Sequence, residues 1–191
     1  MKLIMALSAS ILVLAFTACT ANNNKQINNG NSSQSQAADT AKGISSNPNP
    51  AAEIVKSYLD LKNSLAADNG NEAATSGKEI LNALSNFNAN KLTSEQKRVF
   101  LGLVGDIKEN SEHIHENGGD IAHQREHFEM LSKDITDLVK SVGTNTTLYL
   151  DSCQKYDNGK GTWLSEFKNI KNPYLEKKMD TCGAIKETIS N

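Results

Sequence analysis

The sequence lacks a surplus of either charge. Its 22 acidic and 20 basic residues leave a formal net charge of −2, which gives no electrostatic drive toward nucleic acid or an anionic membrane surface. It also lacks a long apolar run beyond its first residues, and so lacks a segment of the ~20 residues that a membrane-spanning helix needs. Aromatics make up only 5% of the chain, with a single tryptophan. Cysteine is scarce too, but the count of three is odd, and an odd cysteine in an exported chain needs an explanation. The 191 residues suit one domain.

What is present begins with an address. Met1-Lys2 is a short positive start, and Leu3 to Phe16 is an apolar run of signal-peptide length. Thr17 and Ala18 stand directly before Cys19, an arrangement that resembles a bacterial lipobox. Cleavage after residue 18 would leave Cys19 to carry several acyl chains, enough for stable anchoring where one chain would be marginal. No Asp follows Cys19, so the outer membrane, facing the periplasm, is favoured over the inner. Residues 19–49 are rich in Asn, Ser, Gln and Ala. Such a segment buries too little apolar surface to offset its ordering entropy. It reads as a disordered tether with a mean span of roughly 30 Å.

From residue 50 the apolar residues recur every three to four positions, so the fold class expected for 50–143 is all-α, an antiparallel four-helix bundle. Asn49-Pro50 suggests a cap followed by a first-turn proline. Ile54, Tyr58, Leu61 and Leu65 share a face, and Asn69-Gly70 ends that helix. Ala73, Gly77, Ile80 and Leu84 mark the second helix. Thr93 with Gln96 predicts a capping box for the third, which carries Phe100, Leu103, Val104, Ile107 and Ile114 and stops at Asn117-Gly118-Gly119. Asp120 caps the fourth, with Ile121, Gln124, Phe128, Leu131, Ile135, Leu138 and Val142 before Gly143. Residues 144–191 break the period. They read as an irregular segment packed on the bundle through Trp163, Leu164, Phe167 and Tyr174, with a short extended piece at 146–150 and a helical turn or two after Gly183.

With Cys19 assigned to lipid, Cys153 and Cys182 remain as a pair. Two readings stand side by side. The pair can form a disulfide, worth roughly 3–4 kcal/mol in the chain-entropy model. Alternatively Cys153, Cys182 and Met179 supply sulfur, and His127 an imidazole, to a soft-metal site of the kind that selects Cu(I). His123 and His127 lie four apart on one helical face, a stripe that Met130 continues. His123-Gln124-Arg125-Glu126-His127 also fits the His-x-x-Glu-His pattern of one zinc peptidase class, without an evident third ligand. His113 and His115 lie two apart, so a helix sends them to different faces, with exposure to solvent expected. Gly159-Lys160-Gly161-Thr162 lacks the earlier glycine of a phosphate loop, and Ser165 has no evident catalytic partners. No enzyme is expected.

These residues resemble an uncharacterised domain of Gram-negative envelope proteins. It is found in small lipoproteins and appended to adaptor (membrane-fusion) subunits of copper and silver efflux pumps. The resemblance spans nearly all of residues 50–191. It rests on Tyr58 to Asp68, on Gln124-Arg125-Glu126-His127-Phe128, and on Leu148-Tyr149, Cys153, Lys160-Gly161-Thr162-Trp163-Leu164-Ser165, Asn172-Pro173-Tyr174, Met179 and Cys182-Gly183. It implies heavy-metal handling, chiefly of copper, with an efflux adaptor as a partner. The usual His-Cys-Pro-Met of that family is Ser152-Cys153-Gln154-Lys155 here, so a His and a Met are replaced.

Overall fold

The computed structural model describes residues 49–159 and 161–190. Residues 1–48, on which the expected signal segment, Cys19 and nearly all of the expected tether fall, lie outside the described residues, as do Lys160 and Asn191.

Four helices follow one another: α1 (Ala52–Ala66), α2 (Gly70–Ser85), α3 (Ser94–Glu116) and α4 (Ile121–Val142). Each forms where the apolar period predicts, and each buries that stripe. Ile54, Tyr58, Leu61 and Leu65 of α1 are buried, as are Phe128, Leu131, Ile135 and Leu138 of α4. Consecutive helices pack on one another, and α4 also meets α1. The start signals act as expected at two helices. Thr93 and Gln96 form both halves of the capping box, and the Asp120 carboxylate accepts from the His123 amide at 3.1 Å. At α1 the cap differs. Helix α1 begins two residues after Pro50, and Asn49 accepts from the Ala51 amide while its own amide donates to the carbonyl of Gly143 at 2.7 Å. Asn49 thus ties the start of α1 to the end of α4.

The reading of 144–191 as an irregular segment of an all-α fold is corrected by the structure. Residues Leu148–Ser152 (β1), Thr162–Ser165 (β2) and Ala184–Ile189 (β3) form an antiparallel sheet in the order β2-β1-β3. The stretch after Gly183 is therefore a strand and makes no helical turn. The pattern was illegible for a physical reason. Strand β3 is exposed on both faces along almost its whole length, so it has no buried face to write a period of two into its sequence. It is held by backbone pairing with a strand more than thirty residues earlier. Ser152 pairs with Ala184, which brings Cys153 and Cys182 to the same end of the ladder. There they form a disulfide with Cα atoms 5.7 Å apart.

Strand β2 packs on α4 and α1, and a run of rings fastens sheet to helices. Trp163 meets Tyr174 at 5.9 Å, Tyr174 meets Phe128 at 5.4 Å, and Phe128 stacks on Tyr58 at 5.4 Å. Polar groups complete the joint. The Leu164 amide donates to the Tyr58 hydroxyl, the buried Lys62 donates to Glu166 at 2.8 Å, and Arg125 donates to the carbonyls of Pro173 and Leu65 while pairing with Asp68. Trp163, Leu164 and Tyr174 are the buried anchors expected. Phe167 is not: it is 56% exposed, its ring 5.7 Å from the Lys62 ammonium.

Candidate metal centre

Helices α3 and α4 are joined by the short turn around Gly118 and fold back on each other as a hairpin. His113 and His123 each stand five residues from Gly118, one on the last turns of α3 and one on the first turn of α4. The hairpin therefore sets them side by side. His127 follows His123 by one helical turn on the same face. The result is a group that helical spacing alone does not show: ligand-capable atoms of His113, His123 and His127 all lie within 4.8 Å of one another.

The three rings are packed against each other. His113 and His127 stack with centroids 4.1 Å apart and planes within 4°. His123 stands edge-on to both, at 4.6 Å from His127 and 5.9 Å from His113. All three are half-buried. Burial pushes the His127 pKa below its usual value, and the neighbouring His113 and His123 push it further down, against an opposing pull from Glu126 and Glu109. That downward shift favours the neutral form of His127, and the neutral ring is the form that binds metal. A tetrahedral ion with nitrogen ligands at about 2.0–2.1 Å sets those nitrogens about 3.3 Å apart. The ligand-capable nitrogens stand up to 4.8 Å apart, and the parallel His113 and His127 rings must turn toward each other for their in-plane lone pairs to converge on one ion.

His127 borders a groove of about 370 Å³ lined also by Asp106, Glu109, Asn110, Met130, Lys133 and Asp134. The Asp134 carboxyl is raised by burial, with Asp106 and Asp137 adding to the effect and Lys133 opposing it. Glu126 is exposed and stands 3.6 Å from His123 Nδ1. His115 turns the other way, as a two-residue offset requires, and its Nδ1 lies 3.0 Å from the Ala74 carbonyl on α2.

The sequence-derived quartet is distributed differently. Cys153 and Cys182 are bonded to each other, and in that oxidised state neither offers a thiolate. Met179, at the end of the short 3₁₀ turn Lys177–Met179, is 46% exposed. His127 is gathered with His113 and His123 and hydrogen-bonds to Asn110 of α3. The signal that points to His113 in the sequence is its distance from the interhelical turn, which equals that of His123.

The motif around His127 divides its labour. Gln124 donates to the carbonyls of Gly70 and Ile114, both at 2.9 Å. Arg125 grips the C-terminal segment through Pro173, and Phe128 is core. His123 and His127 alone face the cluster. Residues 54–147 match the family model Protein of unknown function (DUF3347). The matched span runs from α1 to the turn before β1, and it includes every residue of the cluster. The match bears on an uncharacterised domain and carries nothing about a lipoprotein setting or an efflux adaptor. No curated protein and no solved structure matches the chain. Among the described residues, no helix is long and apolar enough to cross a membrane.

Proposed function

We propose that this protein is a metal-handling module of the cell envelope, lipid-anchored through Cys19 and facing the periplasm, built on an antiparallel four-helix bundle. It holds a transition-metal ion on His113, His123 and His127. The observation that carries this reading is the convergence of three half-buried imidazoles with ligand-capable atoms within 4.8 Å. An all-imidazole donor set suits zinc, copper and nickel ions better than hard cations. Copper handling in association with an efflux adaptor is the version that the family resemblance favours. Binding through imidazole needs no reduced thiol, which distinguishes it from a Cys153–Cys182–Met179 copper site.

The test is a competition titration of the purified chain with Zn²⁺ and Cu²⁺, and with Cu⁺ under reducing conditions. One equivalent is expected to bind without reductant. His113→Ala, His123→Ala and His127→Ala should each weaken binding by about 100-fold or more, while Cys153→Ser combined with Cys182→Ser leaves Zn²⁺ affinity within twofold. The reverse pattern, with cysteine dependence and indifference to the histidines, would return the site to sulfur. A second reading, favoured by the disulfide itself, is a stapled structural or protein-interaction module. It is preferred if no ion binds under either condition.

A further inference from the structure

His127 has two ring nitrogens, and Nδ1 lies 3.0 Å from the side-chain oxygen of Asn110. Which nitrogen carries the proton is settled one residue away. The Asn110 amide nitrogen donates to the Asp106 carbonyl, one helical turn earlier, at 2.9 Å. A carbonyl oxygen only accepts. Turning the Asn110 amide over would set its oxygen against that carbonyl oxygen and leave its nitrogen facing His127. The amide is therefore held with Oδ1 toward the imidazole, and an amide oxygen also only accepts. Nδ1 of His127 must then be the N–H, and Nε2 carries the free lone pair. Asn110 is 6% exposed, so bulk water does not compete for this bond. Histidine side chains in water favour the opposite tautomer, with the proton on Nε2, so the bond to Asn110 works against the intrinsic preference.

We infer that Asn110 is a positioning residue: it holds His127 in the Nδ1–H tautomer, orients its ring, and presents Nε2 to an ion shared with His113 and His123. The inference rests on the reading of the three histidines as a metal site. The arrangement is the one by which a metal-binding imidazole is oriented, with its remote N–H donated to a fixed acceptor, and loss of such a partner costs about 10–100-fold in metal affinity.

The test has one part that needs neither metal nor mutation. Long-range ¹H–¹⁵N correlation spectra of the ¹⁵N-labelled, metal-free chain at pH 8 should show His127 protonated at Nδ1 and bare at Nε2. Asn110→Leu, similar in size but without an acceptor, should shift His127 toward the Nε2–H form and weaken Zn²⁺ binding about 10–100-fold. Asn110→Asp keeps an acceptor toward His127 but loses the donor to the Asp106 carbonyl, so it should lower stability yet hold His127 in the Nδ1–H form and bind Zn²⁺ more tightly than Asn110→Leu, whereas a purely structural role for Asn110 would make Asp as harmful to Zn²⁺ binding as Leu. An Nε2–H tautomer in the wild type, or Zn²⁺ affinity in Asn110→Leu within twofold of wild type, overturns the inference. If the wild type binds no Zn²⁺ although His127 is the Nδ1–H form, the metal reading itself falls and this inference with it.

Discussion

Among single residues, Asp151 is the least comfortable. It is fully buried on β1, and both of its carboxylate oxygens lack a hydrogen-bond partner. Burial pushes its pKa up to about 6 from 3.8, although the nearby Lys62 pulls it down. The folded state therefore holds this proton more tightly than the unfolded chain does. Its unfavourable contribution is absent below pH 4 and develops as pH rises through the interval from about 4 to 6. Asp151→Asn should raise stability at pH 7 by up to about 2–3 kcal/mol. The gain should shrink to little near pH 4. Urea midpoints of both proteins across pH 4–8 measure this; a constant difference between them would show that the carboxylate does not titrate in that range. Asp68 behaves oppositely, since its hydrogen bond to Arg125 holds its carboxyl below the usual range, and that contribution is lost only as pH falls further.

At the level of elements, the helices meet where side chains are missing. A Cβ on Gly70 would lie 2.7 Å from the Gly118 carbonyl oxygen, where the start of α2 abuts the α3–α4 turn. Gly70→Ala should cost about 1–3 kcal/mol by forcing that contact apart. Because the turn also sets the spacing of His113 and His123, the same change should loosen metal binding. Gly102 is the control: it lies on the exposed face of α3 with nothing within 4 Å of a would-be Cβ. Gly102→Ala should stabilise the protein by about 0.5–1 kcal/mol. Chemical denaturation of the two variants should move in opposite directions. The sheet depends on a different link. Cys153 and Cys182 are separated by 29 residues in sequence, and replacing both with serine should cost about 3–4 kcal/mol. The disulfide closes the β1–β3 end of the ladder, so hydrogen exchange in β3 should accelerate more than in α3 or α4. Equal acceleration throughout would mean that the disulfide stabilises the whole domain as one unit.

For the whole molecule, the cluster and the sheet lie on different attachments of α4. One face of α4 sends His123 and His127 to α3, while Arg125 and Phe128 receive the C-terminal segment. An ion bound only by the folded state stabilises it by mass action, about 2.7 kcal/mol at a free concentration one hundred times Kd. Zn²⁺ should therefore raise the melting temperature by several degrees in the wild type and in the double serine variant, and not in His113→Ala. A loss of the shift in the double serine variant would show that the disulfide and the site are energetically joined.

The sequence by itself determined the helices, because each must bury one stripe and that requirement is written every three to four residues. Thr93 with Gln96, and Asp120, fixed two of their starts for the equally local reason that free amides need an acceptor nearby. It also supplied the cysteine pair, but not the pair's state. Tertiary structure alone decided the rest. Strand β3 has no buried face, so only pairing with β1 makes it a strand, and Phe167 looked like an anchor until the fold left it over Lys62. The histidine cluster is of the same kind. The i, i+4 spacing of His123 and His127 was visible, but His113 reaches them only because the turn at Gly118 reverses the chain, and its partnership rests on distance through space, which no local pattern records.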